Sequence, residues 1–593
     1  MIKIPRLSIS YNFSSNILKL DHDAISFPIK KLELNNLEFF VLGRPYTNSS
    51  KDLSSILINI RNINSIPQEL LRSINGEFLI VIYSKSSKKV VIINDRFCSI
   101  PIYYAVIKDN YFYASINYFD ISKKLKEFGR IKYNKSAFYE FLWFRRLHHD
   151  ITFDEHSKYL LPASILVPRE GKYTLSNYWM PEFKKSKDSF QESTHAFIQN
   201  IKTSIVRKTA DIETSSLGFF LSGGMDTRTI LAAISSLDMQ IPSCFTLGFS
   251  EEGEYRIASQ LTNIVNADHH FIKMDPRNYE HFWDEKFQLS GGIYHFLQNI
   301  FFGISNKELS KKNFFLHGHG FDYLFQGMYL PTSSFKILGR NTHIKKTINL
   351  NNVDRFSEFY ASNVPYRAWR IDLKKFMKKD SEPLYDSMID NLNKVGKLGN
   401  SISDNNFDIW EFMMIYGLSR HYSQTDVMGM ATHGEQLKVA NDNDLFDFYL
   451  SLPIEFRKYA KVMRAALKQM NNRLAMVPSA NTDYKIVAGP IQTTSYFIIR
   501  SLLRRLSQSD RFAGAISSRR TWPDEDEHVR NLENLKNELL NLSSNDLLRE
   551  NLDFLDFSYL KEMTFQWLEN DQSGGAQFLM CIFAIKKYLE ETS

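Results

Sequence analysis

Two short strings carry most of the chemistry open to this chain. The first, Ser222-Gly223-Gly224-Met225-Asp226-Thr227, follows an apolar run ending at Leu221 and precedes the helical-looking Ile230-Leu231-Ala232-Ala233-Ile234. A strand, a glycine turn and a helix start together make an anion site, because glycines let backbone N–H groups approach phosphate oxygens and the helix dipole favours negative charge. Ser222 and Thr227 add hydroxyl donors, and Asp226 is a candidate ligand for the magnesium that accompanies a triphosphate. Gly-Gly taken alone favours a plain tight turn. The second string is Leu316-His317-Gly318-His319-Gly320-Phe321-Asp322-Tyr323-Leu324-Phe325-Gln326-Gly327. Its His317-Gly318-His319 segment, read by itself, is a turn more readily than a metal pair.

The surrounding elements must position these strings. From Ile4 to about Trp179, β-branched and aromatic runs such as Phe78-Leu79-Ile80-Val81-Ile82-Tyr83 and Val90-Val91-Ile92-Ile93 alternate with turn residues, which predicts antiparallel hairpins. Residues 184–189 are polar and aperiodic, so the chain divides into an expected α+β domain over 1–183 and a second domain over 190–593. There Phe197, Ile198, Ile201 and Ile205 keep helical spacing, and strand-like runs at 217–221, 244–247 and 314–316 alternate with helical stretches. That alternation predicts an α/β parallel sheet covered on both faces, with mainly helical additions after about Asp404.

With 593 residues, 43% hydrophobic and 23% charged, the chain is long enough for two cores and has the composition of a globular protein. A net charge of +7 spread along the chain neither requires nor excludes a nucleic-acid partner, and none is expected. Cys98, Cys244 and Cys581 are too few and too scattered for a disulfide framework or a CxxC site. Residues 1–6 lack the apolar stretch of a signal peptide, and no apolar run reaches a bilayer's span, so a cytoplasmic location without membrane contact is expected.

The first string resembles the Ser-Gly-Gly-x-Asp-Ser loop of the PP-loop ATP pyrophosphatases, with Thr227 keeping the hydroxyl of the usual serine. Further segments resemble asparagine synthetases in order: Cys244-Phe245-Thr246-Leu247-Gly248-Phe249, Glu254, Ala258, and the second string, which is similar to the Ser-Gly-Glu-Gly-x-Asp-Glu-x-Phe-x-Gly loop of that family. The resemblance implies ATP and Mg2+ as cofactors, with the nucleotide on Leu221, Ser222, Gly223, Gly224, Asp226, Thr227, Leu247, His317 and Gly318, and the metal on Asp226 and Asp322. Lys485 falls near the family's pyrophosphate-binding lysine, and Arg457, Lys461 and Arg464 fit its basic helix. Residues 432–442 faintly resemble the helix and loop near the acceptor site. His319 stands where the family has a glutamate, which puts aspartate as substrate in question. A histidine there is expected to exchange a proton near neutral pH if its environment leaves its pKa unshifted. The Gly-His-Gly-x-Asp form is similar to the loop of lasso-peptide macrolactam synthetases. The basic run 498–505 reads as a packed helix with a wet face.

In the front half, Ile74-Asn75-Gly76-Glu77-Phe78, the run 94–104, Leu161-Pro162-Ala163 and Tyr178-Trp179 resemble the family's amidotransferase domain, which implies the sandwich of N-terminal-nucleophile hydrolases. Glutaminase chemistry on that fold needs Cys directly after the initiator Met, and position two is Ile2. Leu42-Gly43-Arg44-Pro45-Tyr46 also departs from the family's Asn-Gly-Glu-Ile-Tyr. The expected activity is an ATP-dependent, amide-forming ligase acting on a small-molecule or peptide carboxylate and an amine or ammonia, with a front domain that has lost its nucleophile. A lasso-type macrolactam synthetase and an inactive nucleotide-binding module are the alternatives, while sulfur transfer to tRNA lacks paired cysteines and a basic domain. The resemblance leaves a homodimer open.

Overall fold

The computed structural model describes residues 4–23, 28–47, 52–108, 110–296, 299–337, 340–364, 371–421, 423–480, 482–506, 525–569 and 574–593; Ile2 lies outside them. The front half holds two antiparallel sheets. One orders its five strands as Ile17–His22, Leu7–Asn12, Tyr111–Ser115, Tyr103–Ile107 and Ser157–Tyr159; the other has six strands built around Ile74–Ser84. Strand Ile74–Ser84 is buried on both faces, and the reason is visible in its alternation. Leu79 and Val81 face the other sheet with Ile9, Tyr104 and Phe112, whereas Ile80 and Ile82 face Leu57 and Leu71 of two short helices. Helices Tyr118–Glu127 and Lys135–Phe144 cover the far side of the five-stranded sheet, so the layers run helix, sheet, sheet, helix.

The second half is built on a parallel sheet ordered His269–Lys273, Ser243–Gly248, Leu217–Phe220, Phe314–His317 and Glu435–Lys438. The last of these corrects the helix-and-loop reading of 432–442. Four residues are too few for periodicity to declare a strand, and Glu435–Lys438 pairs in register with Phe314–His317 because the Gly434 backbone lies against Asn313. The sequence reading also missed an antiparallel hairpin, Thr332–Ile337 with Arg340–Thr347, although Phe335 and Ile337 alternate with polar residues ahead of Gly339. Helices after Glu525 close the far end, and Ala576–Thr592 buries its apolar face against Lys135–Phe144 and Tyr118–Glu127 of the front half. Among the described residues no helix is long and apolar enough to cross a membrane.

The connector 184–189 lies on the second half. Ser186 N–H donates to the Ser451 carbonyl at 2.7 Å, and Lys185 Nζ reaches the Leu450 carbonyl at 3.0 Å and Glu411 at 3.6 Å. Glu411 is buried, clasped by both arms of the Arg457 guanidinium, with Tyr449 Oη donating at 2.9 Å. Burial opposes its charge, but Arg457 outweighs that and holds the carboxyl down at about 2. Arg457, read from sequence as part of a basic binding helix, is therefore a structural counter-ion.

Because the folded pKa of Glu411 lies below its ordinary 4.5, its stabilisation is complete above that value and is lost as pH falls toward about 2. Arg457→Met leaves a buried carboxylate without its partner and should cost about 3 kcal/mol or more. Thermal melts at pH 7 and pH 4 should show that loss at pH 7 and a narrower gap at pH 4.

Candidate active site

The sheet order has a switch point. Strands Ser243–Gly248 and His269–Lys273 extend the sheet to one side of Leu217–Phe220, and Phe314–His317 is added on the other, so the chain leaves the two central strands in opposite directions. Such a divergence opens a crevice at the carboxyl ends of the strands. A cavity of about 670 Å3 lies there, lined by Leu221, Ser222, Gly224, Asp226, Thr227, Leu247, His317, Gly318, His319, Asp322 and Lys485. Gly223 sits behind the lining, where a Cβ would meet Ala480 at 2.8 Å.

The loop after Leu217–Phe220 is wound tightly by its own hydroxyls. Ser222 N–H donates to Thr227 Oγ1 at 3.1 Å, Gly224 N–H donates to Ser222 Oγ at 3.2 Å, and the two hydroxyls lie 3.0 Å apart. Gly223 N–H donates to Glu254 Oε1 at 3.2 Å. Helix Met225–Ser235 starts at Gly224 without a side-chain cap, which leaves its first N–H groups facing the cavity. Arg228, on the inner face of this helix, was not foreseen from sequence. Its guanidinium is buried and donates to the carbonyls of Gly223 at 2.9 Å, Val477 at 2.6 Å, Pro478 at 2.9 Å and Leu474 at 3.4 Å.

The loop after Phe314–His317 lies directly on the first. A Cβ at Gly318 would stand 3.0 Å from Asp226 Cβ and 3.2 Å from the Thr227 nitrogen. This approach sets Asp322, on the short helix Phe321–Leu324, beside Asp226. Burial pushes both carboxyls up, Asp226 well above its ordinary range with Asp322 repelling it, and Asp322 to about 6. Gln326 Nε2 donates to Asp226 Oδ1 at 2.6 Å. Among the described residues no group of three or more His, Cys, Asp or Glu is arranged for a metal. Magnesium held by one or two carboxylates together with phosphate oxygens needs no such group.

Both loop histidines are neutral. Burial drives His317 well below its ordinary 6.5, and burial with the nearby Lys438 charge lowers His319 to about 3. The expectation of a proton-exchanging His319 is thereby corrected. His317 Nδ1 accepts from the His319 N–H at 3.4 Å, which leaves its Nε2 as the protonated nitrogen, buried and without a partner among the described residues.

Opposite the loops, Lys485 stands exposed on the turn after Pro478 and Arg464 projects from helix Lys461–Met470, its Nε buried without a partner among the described residues. Phe220, Phe245, Leu247, Ile300, Phe301 and Met430 form the apolar part of the lining, and Asp426 lies beside them with its carboxyl pushed up to about 7 by burial. Asp426 also escaped the sequence reading, since a lone aspartate in Thr425-Asp426-Val427-Met428 carries no pattern. His269 and His270 stay outside the cavity: His269 lies between Thr246 Oγ1 and Ser259 Oγ, and His270 pairs with Asp268 at 2.7 Å.

In the front half the residues of the amidotransferase-like segments face the second half. Glu77 Oε1 accepts from the Lys438 N–H at 3.0 Å and from Lys208 Nζ at 3.2 Å. Asn75 Oδ1 accepts from the Asn443 N–H at 2.8 Å, and Tyr46 Oη donates to Asp442 Oδ2 at 2.7 Å. Arg44 pairs with Asp211 and lies over the Phe314 ring. Cys98 is buried and its thiol is pushed up to about 11 by burial, far from a reactive thiolate.

Residues 205–483 match the family model described as Asparagine synthase, and residues 47–179 match the Glutamine amidotransferase domain. The curated protein Asparagine synthetase [glutamine-hydrolyzing] 1 of Bacillus subtilis (strain 168) is 23% identical over 242 residues, 40% of this chain; the match spans only 37% of that protein. Among solved structures, the glutamine phosphoribosylpyrophosphate amidotransferase of B. subtilis aligns over 41% of this chain and 47% of its own at 9% identity, with a TM-score of 0.16.

Arg228→Lys keeps a charge but cannot bridge four carbonyls, so it should lower stability by about 2 kcal/mol. A calorimetric scan checks this, and Arg228→Lys melting with the wild type would show the staple to be redundant.

Proposed function

We propose that this chain, a member of the asparagine synthetase family, is an ATP-dependent carbon–nitrogen ligase that activates a carboxylate as an acyl adenylate and transfers the acyl group to an amine or ammonia. One observation carries the reading: a single cavity at the switch point joins an anion-binding helix start, two abutting carboxylates, and the cations Lys485 and Arg464. An inactive nucleotide-binding module has no chemical need for both carboxylates, and a bound cation offsets the cost of burying them side by side.

The residues fit ATP and Mg2+. Asp226 and Asp322 form a buried like-charge pair, the arrangement a divalent cation neutralises, and magnesium supplies there the charge that stabilises departing pyrophosphate. The N–H groups at the start of Met225–Ser235 and the hydroxyls of Ser222 and Thr227 bind phosphate oxygens. Lys485 and Arg464 hold the pyrophosphate side, the apolar lining near Leu247 takes the base, and His317 Nε2–H is a buried donor without a partner among the described residues. His319, neutral, orients the reacting carboxylate by a hydrogen bond and does not hold its proton.

Free aspartate is not the favoured substrate. A permanent negative charge at position 319 is replaced by an uncharged ring, which suits a carboxylate carried on a larger molecule such as a peptide. The front domain acts as a support for the second, because its glutamine-binding segments are engaged in contacts with 438–443.

Asp226→Asn and Asp322→Asn should each lower ATP-dependent pyrophosphate release by about two orders of magnitude or more, since preorganised charge stabilisation of this kind contributes about 3 kcal/mol. Release at the wild-type rate in either variant would place the metal elsewhere. Incubation with glutamine should yield no glutamate, and ATP, magnesium, aspartate and ammonia should yield little asparagine. Rapid asparagine and AMP formation would return the chain to ordinary ammonia-dependent asparagine synthesis.

A further inference from the structure

Hairpin Thr332–Ile337 with Arg340–Thr347 stands apart from every other sheet. A two-stranded ribbon is marginal alone, so its anchoring matters. Tyr459 Oη accepts from the Lys345 N–H at 2.6 Å and donates to the Lys345 carbonyl at 2.9 Å, while His343 stacks on Phe497 of helix Pro490–Leu506 with ring centres 5.0 Å apart. His343 and Thr493 line the cavity, as does Met328 just before the hairpin, so hairpin and helix form one wall of its mouth.

That wall is apolar and basic at once. Phe335 is 59% exposed and Ile491 69%, and Met328, Ile337, Ile498 and Ile499 are exposed too. The helix read as having an ordinary wet face thus shows isoleucines to solvent. The hairpin strands carry Lys336, Lys345 and Lys346, the helix carries Arg500, and neither element has an acidic residue. Lys336, Lys345 and Lys346 form no ion pair among the described residues. Exposed apolar groups interleaved with unopposed lysines at the entrance to a cavity match a partner that is both acidic and apolar.

We propose that this wall docks an acidic, leucine-rich polypeptide segment that presents the carboxylate substrate to the cavity; the inference rests on the ligase reading for the carboxylate, and on the wall itself for the docking. A polypeptide is favoured over nucleic acid because isoleucines and a methionine gain from aliphatic partners, whereas single-stranded nucleic acid is held by stacked aromatics, and among the described residues of the two elements Phe335 is the one exposed aromatic ring.

The test is fluorescence anisotropy on the full chain, without nucleotide, using a labelled peptide of alternating glutamate and leucine, its lysine-for-glutamate counterpart, and a mixed-sequence single-stranded oligonucleotide. The acidic peptide should bind with an affinity that falls as salt rises, and Lys336→Glu combined with Lys346→Glu should weaken it about tenfold or more. Phe335→Ser should weaken it at unchanged net charge, which separates docking from a general electrostatic effect. Absence of binding, equal binding of the lysine peptide, tighter binding of the oligonucleotide, or indifference to both sets of substitutions overturns the proposal. ATP–pyrophosphate exchange measured in parallel keeps the two readings apart: missing exchange with intact peptide binding refutes the ligase, and the reverse refutes only the docking wall.

Discussion

Four carbonyls converge on one buried guanidinium, and much of the site hangs on that convergence. Arg228 ties the Gly223 carbonyl of the glycine loop to Leu474, Val477 and Pro478. It therefore fixes the distance from the anion-binding turn to the segment that carries Lys485. Burial lowers the guanidinium to about 10, still far above neutrality, so it stays charged while taken out of water. An ammonium has neither the planar fork nor the number of donors to do this. Gly318 adds the second constraint: with no side chain it lets the 317–320 loop lie on Asp226, and the two carboxylates are forced together as a result.

The front domain has become part of the same scaffold. Asn75 and Glu77 grip the backbone of Asn443 and Lys438, and Lys438 belongs to the edge strand of the parallel sheet. Lys438 in turn contributes to holding His319 neutral. A chain of packed elements thus runs from the Asn75–Glu77 segment to the cavity, one strand away. Two further cavities, of about 120 and 530 Å3, share Gly43, Glu77, Glu435 and Gln436 at this junction. Ion pairs fill much of the larger one, Arg44 with Asp211 and Lys208 with Glu77, so its charges are largely answered from within.

Both glycine-containing strings and the parallel sheet were legible because their signals are local. Glycines, hydroxyls and an aspartate must be adjacent in sequence to wind a phosphate loop, and 217–221 is apolar enough to announce a buried strand. Arg228 was not legible, since three of its four carbonyl partners lie about 250 positions away and an arginine on a helix ordinarily faces water. Glu435–Lys438 is a strand only because a neighbour offers it an edge. Asp426 and the hairpin's role as a cavity wall also come from distant segments meeting. The linker at 184–189 was readable as a connector from its polarity, but its hold on Ser451 and Glu411 was not.

The pKa of His319 is the finding that most changes the chemistry read from sequence. A third carboxylate beside Asp226 and Asp322 would add a like charge to a pair that burial already pushes upward, with Asp322 repelling Asp226 besides. An uncharged ring adds none, so on the proposed ligase reading the pair's charge would be answered by a bound cation together with Lys485 and Arg464. On the proposed ligase reading, position 319 offers no anion to the α-ammonium group that a free amino acid presents and an internal side-chain carboxylate of a peptide lacks. On the ligase reading proposed above, a cavity with no charge at position 319 selects its carboxylate by what surrounds it, and the surface next to the mouth is the hairpin wall. On that reading, selectivity resides outside the two loops, in the hairpin wall, which pairs with no other sheet among the described residues.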